Sequence, residues 1–389
     1  MINLKKNNLK KIFFKEKFFF LIIILILLIL ISGCSKSSKL GKKTTKKSVE
    51  EIRIGTEGIV VIFVPNNPPA IVHVEKDAPN EVKAVLQLNN KGAYPQPDEG
   101  VRGLAPGFGR LYLSGYDTNI VEFTQKSIDL SQLALEGKST INPNGGLDFV
   151  TFDGKVIYDN LNVEKYEPTL LVTACYYYFT IAGPQVCIDP DPYSTIIKKK
   201  VCEVNPITLS NQGAPIAVTR IDEEALAQKT HFRITIKNVG SGEVIKATAY
   251  DITGPTPESF DKCNPFGEKK LEREDVDKVF LQEAIVGNKA LKCGPFAEGS
   301  VEGFQGLVRL INGEGSIICK LDKTDYAPTN TAYTTPLKIK ISYLYKTTAE
   351  RKFTIKKETS GLGGESGGTG VITPPPSQPE QEFPFGGEI

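Results

Sequence analysis

Apolar and polar residues alternate with a period of two over much of the chain. The segments 57–64, 70–75, 82–89, 109–115, 147–158, 169–180 and 185–188 are short and rich in Val, Ile, Tyr, Phe and Thr. Clusters of Gly, Pro and Asn divide them. Such a pattern predicts half-buried β-strands. Similar segments fill the region after residue 203. Two stretches read differently. "IDEEALAQ" (221–228) and "EREDVDKVFLQEAI" (272–285) have helical character, and the second is expected to hold a helix.

The strand pattern occurs twice. In "AVLQLNNKG" and "FRITIKNVG", Ala84, Leu86, Leu88, Asn90 and Gly92 fall opposite Phe232, Ile234, Ile236, Asn238 and Gly240. Each copy is a strand running into an Asn-x-Gly turn. Before them stand "PPAIVHV" and "APIAVTRI"; after them come "LYLSGYD" (111–117) and "IKATAYD" (245–251). Near the end of each copy, "YYYFTIAGPQVCI" (176–188) aligns without a gap on "YLYKTTAERKFTI" (343–355). Tyr176, Tyr178, Val186 and Ile188 then face Tyr343, Tyr345, Phe353 and Ile355, the alternating positions of a strand pair around a turn. Four matched blocks in one order predict two related domains, 51–195 and 203–358, each near the common domain size. The first carries extra loop residues after Gly92, and the second an insert around 255–295.

Units of this size with seven or more short strands predict an all-β chain of two tandem immunoglobulin-like β-sandwiches, with barrels as the lesser alternative. The stretch "FRITIKNVGSGEV" (232–244) resembles the signature strand and turn of CARDB-type and related immunoglobulin-like adhesion modules. In the first copy Lys91 and Ala93 replace the Val and Ser of this turn, and the Gly-x-Gly is lost. The whole layout resembles membrane-anchored archaeal and bacterial surface proteins that carry tandem sandwiches behind a lipobox. That resemblance implies an adhesive rather than a catalytic role.

The ends of the chain lack the alternating pattern. Residues 1–17 carry six lysines against Glu16, and Phe18 to Ile31 is a run of fourteen apolar residues. Positive charge before an apolar run sends the following chain across the membrane. A stable span needs about 20 residues, so this run has the length of a signal h-region. Leu30-Ile31-Ser32-Gly33-Cys34 resembles a lipobox, which implies lipidation of Cys34. A thioether-linked diacylglyceryl group, with any N-acyl chain, anchors a protein stably. An uncleaved transmembrane helix ending in Ser-Gly-Cys is the alternative. Residues 1–34 are therefore a signal peptide or anchor. The basic stretch 35–50 is expected to be a flexible tether, and the Gly- and Pro-rich 359–389 a disordered tail.

Cysteine count supports export. With Cys34 given to lipid, Cys175, Cys187, Cys202, Cys263, Cys293 and Cys319 remain, an even number without zinc-site spacing. The repeat narrows fifteen possible connectivities. Cys175 and Cys187 are absent together from the second copy, which predicts a Cys175–Cys187 bond across a hairpin. The similar loops "CNPFGE" and "CGPFAE" predict Cys263–Cys293, leaving Cys202 for Cys319.

Candidate chemistry is sparse. The one G-x-S-x-G, at 364–368, lies in the glycine-rich tail rather than between a strand and a helix, and His73 and His231 are the only histidines. No catalytic residues, metal cluster or cofactor motif emerge, so no enzyme activity and no cofactor are expected. Asp189 and Asp191 in "CIDPDPY" are candidate calcium ligands, but calcium takes six or more oxygens and other loops must contribute. Tyr176 and Tyr178 share the preserved face and belong in the core; Tyr177 points the other way and is the candidate contact residue. The formal net charge of +2 falls to −3 once residues 1–33 depart, and no aromatic-basic interleaving appears, which argues against nucleic acid. The expected partners are the membrane and a surface protein or glycan. The functions left in play are adhesion or envelope assembly and, as the alternative, a ligand- or carbohydrate-binding receptor.

Overall fold

A computed structural model describes residues 52–95, 109–194, 199–247, 260–301, 305–329 and 331–358. The signal or anchor segment with Cys34, the tether and the tail all lie outside the described residues. The described residues belong to one compact unit. Among the described residues no helix is long and apolar enough to cross a membrane.

The chain is all-β. The first half holds β1 (Ile59–Phe63), β2 (Ile71–Val74), β3 (Glu81–Asn90), β4 (Gly109–Ser114), β5 (Val121–Phe123), β6 (Ser127–Asp129), β7 (Leu147–Val156), β8 (Lys165–Tyr166), β9 (Thr169–Ala182) and β10 (Gln185–Ile188). The second holds β11 (Ile207–Thr208), β12 (Ile216–Leu226), β13 (Lys229–Asn238), β14 (Glu243–Ile245), β15 (Lys278–Val286), β16 (Lys289–Ala290), β17 (Lys292–Gly294), β18 (Ser300–Val301), β19 (Gln305–Arg309), β20 (Glu314–Asp322), β21 (Tyr333–Lys352) and β22 (Thr354–Lys357).

Two small sheets repeat the same design. One has the order β1-β3-β7-β5 and the other β11-β12-β13-β20-β17. Ile59 lies opposite Asn90 in the first, and Ile216 opposite Asn238 in the second. The counterpart of β12 is therefore β1. The segment "PPAIVHV" does not fill that place, because it forms β2, which pairs in parallel with β22 in a separate three-stranded sheet. Alternation selects the buried face: Val82, Ala84, Leu86 and Leu88 point inward on β3, as Phe232, Ile234 and Ile236 do on β13.

A ten-stranded sheet joins the halves. β9 and β21 run antiparallel over fourteen residue pairs at its centre. Tyr176, Tyr178, Tyr343 and Tyr345 on this pair, Leu86 and Leu88 on β3, and Ile234 and Ile236 on β13 belong to one continuous core. The sandwiches are thus fused through a shared sheet. Tyr177 lies opposite Leu344, Tyr176 opposite Tyr345 and Tyr178 opposite Tyr343. Tyr177 and Leu344 are also counterparts in the repeat, so a pseudo-two-fold axis passes between them, as in an isologous dimer.

Both stretches with helical character hold strands instead of helices. Residues 221–226 belong to β12, whose Glu224, Ala225 and Leu226 pair with His231, Thr230 and Lys229 across a hairpin. Residues 278–286 form β15, held between β19 and β21 and buried at most positions. A central strand buried on both faces loses its alternation, and tertiary pairing overrides local propensity.

The hairpin expected at 180–185 is absent as well. β10 continues the β9 pairing along the same partner: Ala182 lies opposite Ile339 and Gln185 opposite Pro336. Cys175 and Cys187 therefore sit far apart along one line, about 40 Å at roughly 3.4 Å per residue. They cannot bond to each other.

Candidate functional site: the tyrosine seam between the repeats

The two Asn-x-Gly turns are tied by the same bonds. Asn90 Nδ2 donates to the Tyr94 carbonyl at 2.6 Å, and its Oδ1 accepts from the Gly92 N–H and the Tyr178 hydroxyl at 3.1 and 3.0 Å. In the second half Asn238 Nδ2 donates to the Gly242 carbonyl at 3.0 Å, and its Oδ1 accepts from Gly240 N–H and the Tyr345 hydroxyl at 3.2 and 3.1 Å. Each phenol also accepts a backbone N–H, from Tyr94 at 3.2 Å or Gly242 at 2.7 Å. The glycine is required by this contact. A Cβ at Gly92 would stand 1.9 Å from the Tyr178 oxygen, and one at Gly240 2.4 Å from that of Tyr345.

The four tyrosines meet at the seam. Ring centroids of Tyr176 lie 5.7 Å from Tyr178 and 6.0 Å from Tyr345, and those of Tyr343 lie 6.5 and 6.2 Å from the same two rings. Such tilted and edge-on pairs suit aromatic quadrupoles. Burial raises the pKa of all four phenols, so they remain neutral donors and acceptors.

The remaining tyrosine pair departs from the symmetry. Tyr343 shares a hydrogen bond with Thr180 Oγ1 at 3.0 Å and accepts the Ile216 N–H at 3.4 Å, while Thr180 donates to the Ile216 carbonyl at 2.6 Å. Their counterparts by the repeat are Tyr176, Thr347 and Ile59. There the triad is open: the Tyr176 hydroxyl and Thr347 Oγ1 are both buried without a hydrogen-bond partner. The Ile59 N–H favours the phenolate slightly but lies outside hydrogen-bonding geometry. Both hydroxyl-bearing residues line a half-open cleft of about 160 Å³, together with Gly58, Ser241 and Tyr345.

All six described cysteines form disulfides, but none of the three expected pairings holds. Cys175 bonds Cys263, Cys187 bonds Cys202, and Cys293 bonds Cys319. Cys175 and Cys187 lack counterparts in the second half because each is bonded to a cysteine of an insert or linker. Cys263 reaches Cys175 because the insert lies on the outer face of the shared sheet, and Cys293 stands directly opposite Cys319 on β20.

Tyr177 is not a contact residue. It is 4% exposed, packed in a second cluster with Tyr112, Ile245, Phe260, Cys263 and Leu344. Its hydroxyl accepts from Gln282 Nε2 at 3.2 Å. Two of these, Phe260 and Cys263, come from the insert, distant in sequence.

The calcium pair is also not assembled. Lys200 Nζ donates to Asp189 Oδ2 at 2.5 Å, and Asp189 Oδ1 accepts the Asp191 N–H at 3.1 Å. An ammonium thus occupies the carboxylate that calcium would use. Among the described residues no group of three or more metal-ligating side chains occurs. His73 pairs with Glu358 at 2.5 Å and His231 with Glu224 at 3.7 Å, each on its own surface.

Glu223 carries no signal in the sequence beyond its parity with Ile221 on β12. Its carboxylate is buried, accepting the Cys187 N–H at 3.2 Å through Oε2 while Oε1 has no partner. Burial pushes its pKa up to about 7, against the opposing pull of the Cys187 bond.

No family model and no curated protein sequence matches this chain. Among solved structures, the zebrafish (Danio rerio) Fcho1 Mu homology domain with bound Eps15 peptide is similar at 8% identity, over 79% of this chain and 96% of that one, with a TM-score of 0.14. A likeness at that level carries no argument about this chain.

Proposed function

We propose that this chain is a membrane-tethered extracytoplasmic surface protein with a non-catalytic role in adhesion or envelope assembly. One observation carries the reading: six of the seven cysteines are paired, and the odd one is Cys34, directly after the apolar run. Structural disulfides persist in oxidising compartments and are rare where glutathione keeps thiols reduced. The charge order of residues 1–31 agrees, with lysines retained on the cytoplasmic side and the body sent across. The fused sandwiches then act as a rigid head on a basic tether. Lysines of that tether near anionic head groups each contribute about 1 kcal/mol of surface attraction.

Protease treatment of intact cells producing the full chain tests this reading. The account expects the head to be degraded before lysis while a cytoplasmic marker survives. A head protected until the cells are broken would overturn it.

A further inference from the structure

We infer that the cleft beside Tyr176 is a binding site for one ring of a neutral sugar, either free or at the end of a glycan chain. The inference does not depend on where the protein resides.

The first support is the broken symmetry of the seam. Tyr343, Thr180 and Ile216 close on one another, whereas Tyr176, Thr347 and Ile59 occupy the matching places and leave two hydroxyls unpartnered. Leaving a buried polar group unpaired is costly, so a site that retains two calls for an occupant. The second support is room. One water needs roughly 10–15 Å³, and a cavity of about 150 Å³ accepts a six-membered ring. The cleft is about 160 Å³ and half-open.

The third support is chemistry. Lys91 N–H donates to the Gly58 carbonyl and Val64 N–H to that of Val85, so even positions of β1 face β3. Ile59 and Val61 then direct their amides and carbonyls to the free edge of the strand, and both residues line the cleft. With the Tyr176, Thr347 and Ser241 hydroxyls, this wall both donates and accepts. A carboxylate only accepts and an ammonium only donates; a sugar hydroxyl does both. The one charged lining residue, Glu57, has Lys91 Nζ 3.4 Å from its carboxylate.

Saturation-transfer NMR on the full chain, in a detergent without sugar head groups, tests the site. The probes are glucose, galactose, mannose and N-acetylglucosamine, with a glycan array to separate terminal residues from free sugars. At least one probe or array ligand should bind the wild type. Tyr176→Phe and Thr347→Val should each weaken it about tenfold, the loss of one hydrogen bond. Gly58→Ala should abolish binding, because its methyl would lie 2.7 Å from the Tyr176 oxygen. Thr180→Val, in the closed counterpart, should leave affinity unchanged. Thermal unfolding of each variant reports whether it is folded; if Tyr176→Phe is not, Thr347→Val and Gly58→Ala decide. No sugar bound by folded wild type, or wild-type affinity in folded Gly58→Ala, would overturn the inference.

Discussion

Glu223 shows how position along one strand sets a residue's chemistry. Its carboxyl is carried inward by β12 to the Cys187 N–H, and burial lifts its pKa from 4.5 to about 7. An acid whose pKa rises on folding is favoured in its neutral form. Its cost to stability is absent below about pH 4.5, grows between 4.5 and 7, and is complete above 7. Glu223→Gln keeps the neutral shape. Urea unfolding should therefore show the variant gaining about 2–3 kcal/mol on the wild type between pH 4.5 and pH 8. Parallel stability curves would contradict this. At the same scale, the core roles of Tyr176 and Tyr178 were legible, because the second copy preserves them as Tyr343 and Tyr345. The fate of Tyr177 was not, since Phe260 and Cys263 cover it from an insert without a counterpart.

Seven strands of the first half were legible almost to their ends, because a strand with one buried face must alternate, whereas the two- and three-residue strands β5, β6 and β8 were not. Connections were less so. Gly183-Pro184 reads as a turn, yet β9 and β10 continue on one line because both pair with β21. The expected turn and the joint absence of Cys175 and Cys187 from the second copy together pointed to a bond that this continuous line excludes. In the folded chain, Cys175–Cys263 closes 88 residues and Cys187–Cys202 closes 15. Chain entropy assigns about 4–5 kcal/mol to the longer closure and about 3 kcal/mol to the shorter. Denaturant midpoints of the two double serine variants should follow that order, with the Cys175/Cys263 variant the less stable. The reverse order would show that the insert is held by packing rather than by its bond.

Across the whole molecule, the likeness of β3 to β13 and of β9 to β21 was legible in the sequence, "PPAIVHV" was placed wrongly, and the joining of the two halves through one sheet was not legible. Nothing in a single strand announces that its partner is its own counterpart from the other copy. Pairing β9 with β21 merges two cores and creates the seam where one tyrosine triad closes and the other stays open. The account joins this disulfide-bonded head to an exported, membrane-held chain, with Cys34 as the residue left over. Intact mass of the full protein purified from the membrane fraction tests that union most directly. The account predicts a chain that begins at Cys34, carries lipid, and is six hydrogens lighter than its reduced form through three disulfides. An unlipidated chain with free thiols would contradict it.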